Sequence, residues 1–389
     1  MHFLYVGYYV DDRILYEIQK RKINNMSVAR QNFERNLLNN LVDACAEGDA
    51  IDFVSYVPVD SVFSVPEFSY LKNARIRHIP INKKSLFSML KAMKSFQGYL
   101  KSLGDNKLRN LRVIMYDVNP VFLIPIMMIK SKYGIKTTSI CAEVPALRRS
   151  RNVLSKIKHA ALSVFMQKCD GYILFAKAMV EKLQCSQKPW TVVEGIAPPN
   201  FGVPVGDKAN IVMYAGGLAA DNNIRQLIDC CIHMPEIKEL WICGCGPEQD
   251  YVVQKSKEYE KIKYFGMVEN ETVRKMETQA KVLVNLRSPE AELTWYSFPS
   301  KLLEYMASGS FVISTRLKGI PEEYFDYVCS LPIAEEESLR NAMKDVFKMK
   351  NEEYVSRCAA AQMFIQGNKN AETQAKKIID FVYREFPID

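Results

Sequence analysis

Residues 282–322 constrain the fold more than any other stretch of the 389-residue chain. They place an apolar run (VLVNL), a polar loop, a helical pattern that begins at Pro299 and a second apolar run (FVIST) in that order. Two apolar runs joined by a loop and a helix describe parallel strands, because antiparallel neighbours need only a tight turn. A parallel sheet must be covered on both faces, so the rest of the chain has to supply further strands and helices.

It does so twice. Periodicity predicts strands at 3–6, 51–56, 76–79, 113–116, 137–141 and 172–175, with helices at 27–45, 84–103, 120–133, 149–169 and 177–184. Residues 194–208, EGIAPPNFGVPVGDK, then break the rhythm with proline and glycine and read as a linker. Beyond it, strands are expected at 211–214, 239–243, 263–265, 282–286 and 311–315, and helices from Asn223, Glu248, Asn270 and Pro299. In 371–386, Ala375, Ile378, Ile379, Val382 and Phe386 form one stripe of a last helix. The expected class is α/β with two Rossmann-like domains facing across a cleft, at 1–197 and 198–368, and a terminal segment at 369–389. A chain of this length suits two domains better than one.

Composition excludes several classes. With 48% hydrophobic and 25% charged residues the chain reads as globular. The best apolar run, 121–129, is half the ~18 residues of a spanning helix. The chain opens directly on a strand, HFLYVGYYV, so no secretory signal is expected. Ten cysteines without a CxxC pair suit reduced, buried thiols, and four scattered histidines suit no metal site. A cytoplasmic location, no metal and no cofactor are the expectations.

Four loops carry residue types that suit an anionic, hydroxyl-bearing ligand. Tyr296, Ser297, Phe298, Pro299, Ser300 and Lys301 lead into a helix N-terminus, where unpaired N–H groups and the helix dipole favour an anion. One turn on, Glu304 shares a face with Ser300 and Lys301 and suits hydroxyl groups beyond the anion. Gly216 and Gly217 follow a strand and let backbone approach a phosphate, with Leu218 closing the turn. Gly244, in Cys243-Gly244-Cys245-Gly246-Pro247, marks a tight turn that fails as a dinucleotide fingerprint because position 249 is Gln. Gly266, Met267 and Val268 make a fourth strand-to-helix turn. In the first half Gly7, Asp117 and Glu143 follow strands and face the expected cleft, though short polar residues there also simply make turns.

The segment FPSKLLEYMASGSFVIST, followed by GIPEEY, resembles the donor-binding segment of the group 1 (family 4) retaining glycosyltransferases, in its FPSK…EY version. The resemblance implies the two-domain GT-B fold, a nucleotide-sugar donor, expected to be UDP-linked, and a last helix that returns to the first domain. It implies that Glu304 binds the ribose hydroxyls and that Gly266, Met267 and Val268 meet the nucleobase. The family's first glutamate falls on Tyr296, and its basic diphosphate clamp falls on Gly217 and Asn222. The positive charge must then come from Arg287 and Lys301, which flank the same loop. No D-x-D occurs, so charge on the leaving diphosphate is expected to be met by backbone and basic side chains. Retention needs no protein nucleophile if attack comes from the face of departure.

Charge distribution adds a partner. Between Lys83 and Arg112 stand eight basic residues and the single acid Asp105, and between Leu147 and Lys168 six basic residues and no acid. Basic helices at 83–103 and 147–168 suit an anionic membrane, with a glycan or lipid-linked acceptor at the inner face; a merely solvated basic face is the alternative. No aromatic-rich motif accompanies the charge, so nucleic acid is not expected. Two other readings stay open: a non-catalytic subunit that binds a membrane or glycosyltransferase partner, and a sugar-nucleotide 2-epimerase.

Overall fold

The structure is a computed structural model that describes residues 1–388 apart from 24, 25, 73, 83, 148–152, 200–205 and 207. The chain divides into two compact units. The N-terminal unit comprises Met1–Phe175, Met179–Ile196 and Ala371–Asp389; the C-terminal unit comprises Ala176–Ala178 and Ala197–Asn370. Part of the expected linker, with Lys83, Arg148, Arg149 and Arg151, lies outside the described residues.

The N-terminal unit is built on strands β1 (His2–Gly7), β2 (Ala50–Pro58), β3 (Phe68–Leu71), β4 (Ala74–Ile81), β5 (Leu111–Tyr116), β6 (Lys136–Cys141), β7 (Gly171–Leu174) and β8 (Trp190–Val192). They form one sheet in the order β3-β4-β2-β1-β5-β6-β7-β8, parallel except for β3 against β4. All six residues of β1 are buried, as a strand covered on both faces requires. On one face, Phe33, Leu37 and Leu41 of the helix Val28–Ala44 share a core with Ala375, Ile378, Ile379 and Val382 of the C-terminal helix Ala371–Glu385 and with Phe386 just after it. The apolar stripe of the last helix is thus spent against the 28–44 helix. Buried Arg112 fixes the end of the chain, donating from Nε to the carbonyl of Phe386 at 2.7 Å and from an Nη to that of Pro387 at 2.6 Å. On the other face the helices Leu86–Ser102 and Pro120–Tyr133 meet through Phe96 and Phe122, edge to face at 5.0 Å.

The C-terminal unit uses β9 (Ile211–Ala215), β10 (Glu239–Cys243), β11 (Ile262–Gly266), β12 (Val282–Asn285), β13 (Phe311–Thr315) and β14 (Cys329–Leu331). Their order is β11-β10-β9-β12-β13-β14, and every pair is parallel. The expected crossover over 282–322 is present, with Val282 opposite Phe311. Leu227, Ile228, Leu339 and Met343 cover one face of this sheet, from the helices Ile224–Ile232 and Glu336–Lys348. Leu302, Leu303 and Met306 of the helix Ser300–Ala307 cover the other. No helix among the described residues is long and apolar enough to cross a membrane.

Candidate functional site

Three glycine-bearing turns lie against one another at the ends of β9, β10 and β11. Gly244 and Gly246 adopt φ of +133° and +157°, and a Cβ on Gly244 would stand 1.8 Å from the carbonyl oxygen of Gly216. On Gly246 it would stand 2.5 Å from the carbonyl oxygen of Leu218. Only glycine permits that approach in that backbone region. Backbone bonds then lace the turns together. The Gly216 N–H donates to the Cys243 carbonyl at 3.0 Å, Leu218 N–H to Cys245 at 2.9 Å and Gly244 N–H to Gly266 at 2.7 Å. The turn at 243–247 is therefore the strap that shapes the Gly216-Gly217 loop.

That strap corrects one expectation. The N–H groups of Gly216 and Leu218 are consumed by it, so of the three only the Gly217 N–H has no partner among the described residues. The Gly217 carbonyl accepts from Tyr214 Oη at 2.7 Å and from Asn222 Nδ2 at 2.6 Å, which fixes the loop's peptides. Asn222 thus contributes shape and no charge. Gly266 has φ of +66°; Met267 beyond it is exposed, and Val268 packs on the core.

Arg287 follows β12 and is half-buried. Its backbone is pinned on three sides: Thr315 Oγ1 donates to its carbonyl at 2.5 Å, Asn223 Nδ2 to that of Leu286 at 2.7 Å, and the Ser288 N–H to that of Asp221 at 2.7 Å. Its guanidinium makes no hydrogen bond or ion pair with any described residue. Burial lowers its pKa from the ordinary value, against the influence of the neighbouring Tyr214 hydroxyl. Tyr214, itself buried, is pushed up to about 12 and remains a neutral donor. A desolvated cation without a counter-ion is costly unless a ligand supplies the anion.

The 300–307 helix is tied to the same loop by Tyr305, whose hydroxyl accepts from the Ala215 N–H at 2.8 Å and donates to the Ala215 carbonyl at 3.1 Å. Pro299 is the N-cap, not the first helical residue, and no side chain caps the helix; the Leu302 N–H donates to the Pro299 carbonyl at 2.8 Å, which leaves the Ser300 and Lys301 N–H groups without a partner among the described residues. Lys301 is placed otherwise than expected. Its Nζ lies 2.5 Å from Glu304 Oε2 and 3.1 Å from Oε1 of Glu277, a fully buried glutamate of the helix Asn270–Gln279. Those two carboxylates raise the Lys301 pKa although burial opposes them. Lys301 is therefore an ammonium with two counter-ions, whereas Arg287 has none among the described residues. Phe298 is buried against Tyr324 at 5.2 Å between ring centroids, so its side chain is core and not a ligand contact. Ser297 Oγ donates to the Leu293 carbonyl at 2.9 Å, Tyr296 is half-buried beside Trp295, and Ser300 is exposed. Among the described residues no group of three or more His, Cys, Asp or Glu is placed to hold a metal ion.

In the N-terminal unit Gly7 and Asp117 come together, and Glu143 stays exposed. What joins the first two was missed in the sequence. A Cβ on Gly7 would stand 2.1 Å from Oε2 of Glu34, which is fully buried in the 28–44 helix and accepts from the Tyr8 N–H at 2.8 Å. Arg30, one turn earlier, pairs with Asp117 at 3.2 Å and lies 4.8 and 5.2 Å from the ring centroids of Tyr8 and Tyr116. Burial pushes the Glu34 carboxyl up to about 7, against the Tyr8 N–H and Arg30. A signal was present: Gln31 and Glu34 share a helix face with the apolar Leu38 and Leu41.

The basic helices are described in part. Lys84, Lys91, Lys94 and Lys101 are exposed, and so are Leu86, Phe87 and Leu90 among them. The second begins at Val153, after the arginines that lie outside the described residues, and exposes Val153, Ile157 and Val164.

Residues 209–348 match the family model described as glycosyl transferases group 1. No curated protein matches the sequence. Among solved structures the chain is similar to the apo lipopolysaccharide outer core galactosyltransferase WaaB, at 15% identity and a TM-score of 0.65 over 99% of this chain and 100% of that one. It is similar to a sucrose-phosphate synthase from Thermosynechococcus elongatus, at 13% identity and a TM-score of 0.64 over 100% of both. Against Anabaena HepE in complex with UDP-glucose the values are 11% and 0.62, over 99% and 100%.

Proposed function

From a chain whose residues 209–348 match the group 1 glycosyl transferases and whose fold is GT-B, we propose a glycosyltransferase that moves a sugar from a UDP-linked donor to a hydroxyl with retention. The C-terminal unit holds the nucleotide. Its diphosphate meets the Arg287 guanidinium, the Gly217 N–H and the uncapped start of the 300–307 helix; the ribose hydroxyls meet Glu304, and the base lies along Gly266-Met267-Val268. The observation that carries this reading is Arg287, a half-buried cation without a counter-ion among the described residues, beside a loop shaped by glycine contacts. As the donor bond breaks, negative charge grows on the diphosphate, and fixed donors that cost no reorganisation stabilise it. The HepE structure with UDP-glucose supports the choice of nucleotide.

The N-terminal unit receives the acceptor, a glycan or a lipid-linked sugar, in polysaccharide or glycoconjugate synthesis. The protein works at the cytoplasmic side, docked on an anionic bilayer. Exposed Leu86, Phe87 and Leu90 between exposed lysines support this, since apolar side chains insert while each basic one adds ~1 kcal/mol near an anionic surface. Sedimentation with anionic vesicles should fall on changing all three to Ser; unchanged sedimentation removes the membrane from the reading.

Isothermal titration with UDP tests the donor site. Binding is expected, with at least a tenfold loss in Glu304→Ala, since a charged hydrogen bond is worth roughly 1.5–3 kcal/mol. Absent binding, or binding unchanged in that variant, overturns the transferase reading. Hydrolysis of a panel of UDP- and GDP-sugars without acceptor identifies the sugar. A second reading, a non-catalytic subunit, is favoured by Tyr296 at the family's glutamate position and by the two carboxylates on Lys301; UDP binding without hydrolysis of any donor would select it.

A further inference from the structure

We propose that Glu277 is the positioning residue of the nucleotide site: it anchors the Lys301 ammonium, and Lys301 in turn holds the Glu304 carboxylate in the orientation that receives ribose hydroxyls. The inference rests on the donor reading above.

The geometry is a relay from the core to the surface. The Glu277 side chain is 1% exposed, that of Lys301 27% and that of Glu304 20%. Lys301 bridges the two carboxylates, at 3.1 and 2.5 Å. On a helix surface, a Lys and a Glu three residues apart make a loose pair worth a few tenths of a kcal/mol, and both side chains keep several rotamers. A second carboxylate on the buried side removes that freedom from the lysine. Glu304 then meets an ammonium whose position is set, and a side chain ordered before binding does not have to be ordered by the ligand.

Packing alone does not call for a glutamate at 277. The helix end is already tied to the sheet by the Glu277 backbone carbonyl, which accepts from Ser310 Oγ at 2.7 Å whatever the side chain is. A space-filling residue there would be apolar, because a buried carboxylate carries a desolvation cost of several kcal/mol. The ion pair to Lys301 offsets that cost, with the nearby Arg274 charge acting in the same sense.

The groups facing Glu277 are Lys301, Glu304 and Tyr305 from the 300–307 helix, Arg274 from its own helix and Cys243 from β10. Tyr305 and Cys243 are neutral, both raised by burial. Burial pushes the Glu277 carboxyl up to about 7, Lys301 opposes this, and Glu304 reinforces it. Below that pH Glu277 becomes neutral, Lys301 loses its anchor, and Glu304 follows it.

The test compares UDP with 2′,3′-dideoxy-UDP, which keeps the diphosphate and lacks the hydroxyls. Titrations of the full chain at about pH 6 and about pH 8 isolate the ribose contribution as the ratio of the two affinities, and phosphate titration cancels. In the unaltered protein the ratio is expected to rise about fivefold from pH 6 to pH 8. In Glu277→Gln it should stay at the low value at both pH values, and Glu277→Asp should recover part of the rise. A structural role would lower the melting temperature and leave the ratio and its pH response in place; that result overturns the proposal. If Glu277→Gln does not fold, the unaltered protein decides alone, since a ratio independent of pH also overturns it. Loss of UDP affinity in Arg287→Ala and Glu304→Ala with indifference to Glu277→Gln defeats only this inference, whereas absent UDP binding in the unaltered protein defeats the donor reading with it.

Discussion

The loop that leaves β9 in the C-terminal unit is held by backbone, and the loop that leaves β1 in the N-terminal unit is held by side chains. In the first, Gly244 and Gly246 press on the carbonyls of Gly216 and Leu218, and N–H groups pair across the turns. In the second, Glu34 takes the Tyr8 N–H, and Gln31 takes the Val10 N–H at 3.0 Å while donating to the Tyr8 carbonyl at 2.9 Å. The cations differ in the same sense. Arg287 beside the first loop meets no carboxylate among the described residues, whereas Arg30 beside the second is paired with Asp117. A backbone strap keeps its shape at any pH and leaves a charge for a ligand. A side-chain latch spends its charge internally and takes on the titration of its carboxylate.

The largest effect should come from breaking the strap. In Gly244→Ala a Cβ would sit 1.8 Å from a backbone oxygen at φ of +133°, so neither a rotamer change nor a small shift relieves it. A loss of about 4 kcal/mol is expected in denaturant unfolding, with UDP binding abolished. A variant as stable as the parent would mean that the turns are not locked together as described.

Next comes the latch. Glu34 has a folded-state pKa of about 7, raised from its ordinary 4.5, so the folded protein binds this proton more tightly than the unfolded chain does. The stabilisation is complete below the unfolded value and is lost as pH rises through the folded one. Urea unfolding should therefore show the parent losing roughly 2–3 kcal/mol between about pH 5 and about pH 8 relative to Glu34→Gln, which keeps an acceptor for the Tyr8 N–H and does not titrate. Taking the difference from the variant cancels the parallel contribution of Glu277. Equal pH slopes would show that Glu34 does not hold the loop in its buried form.

These two devices were not equally legible in the sequence. The long strands and the helices at 28–44, 120–133 and 371–385 could be read because each repeats its period several times between clear breaks. The edge strands Phe68–Leu71, Trp190–Val192 and Cys329–Leu331 could not, since three or four residues carry no period. The glycine turns were visible as turns. Their mutual contacts were not, because which N–H of Gly216, Gly217 and Leu218 stays available depends on Cys243 and Cys245, more than twenty residues away. Lys301 reads as a phosphate ligand because it flanks the loop at the helix start, while its second carboxylate, Glu277, stands 24 residues back on another helix where no local pattern reveals it. Local pattern reports an element and its apolar face; it does not report which charge another element will neutralise.

The contrast between cations gives a third measurement. Arg287→Ala should weaken UDP about thirtyfold, roughly 2 kcal/mol, as expected for a charged hydrogen bond in a partly desolvated place. Arg30→Ala should leave UDP affinity within about twofold. Equal losses in the two variants would erase the distinction between the units.

The smallest effect should fall on the one residue of the β9 loop that the strap does not hold. A Cβ on Gly217 would stand 3.8 Å from Asn222 Nδ2, an ordinary contact, and its φ lies outside the left-handed region. Gly217→Ala should therefore change stability by less than about 0.5 kcal/mol. Its N–H is also the loop's remaining donor, and a methyl group there lies in the path of a phosphate that approaches the backbone. An affinity for UDP lowered about threefold at unchanged stability would assign this glycine to the ligand, and Gly244, where stability falls first, to the fold. If Gly217→Ala instead costs as much stability as Gly244→Ala, the strap extends over the whole loop and Arg287 alone is left to receive the diphosphate.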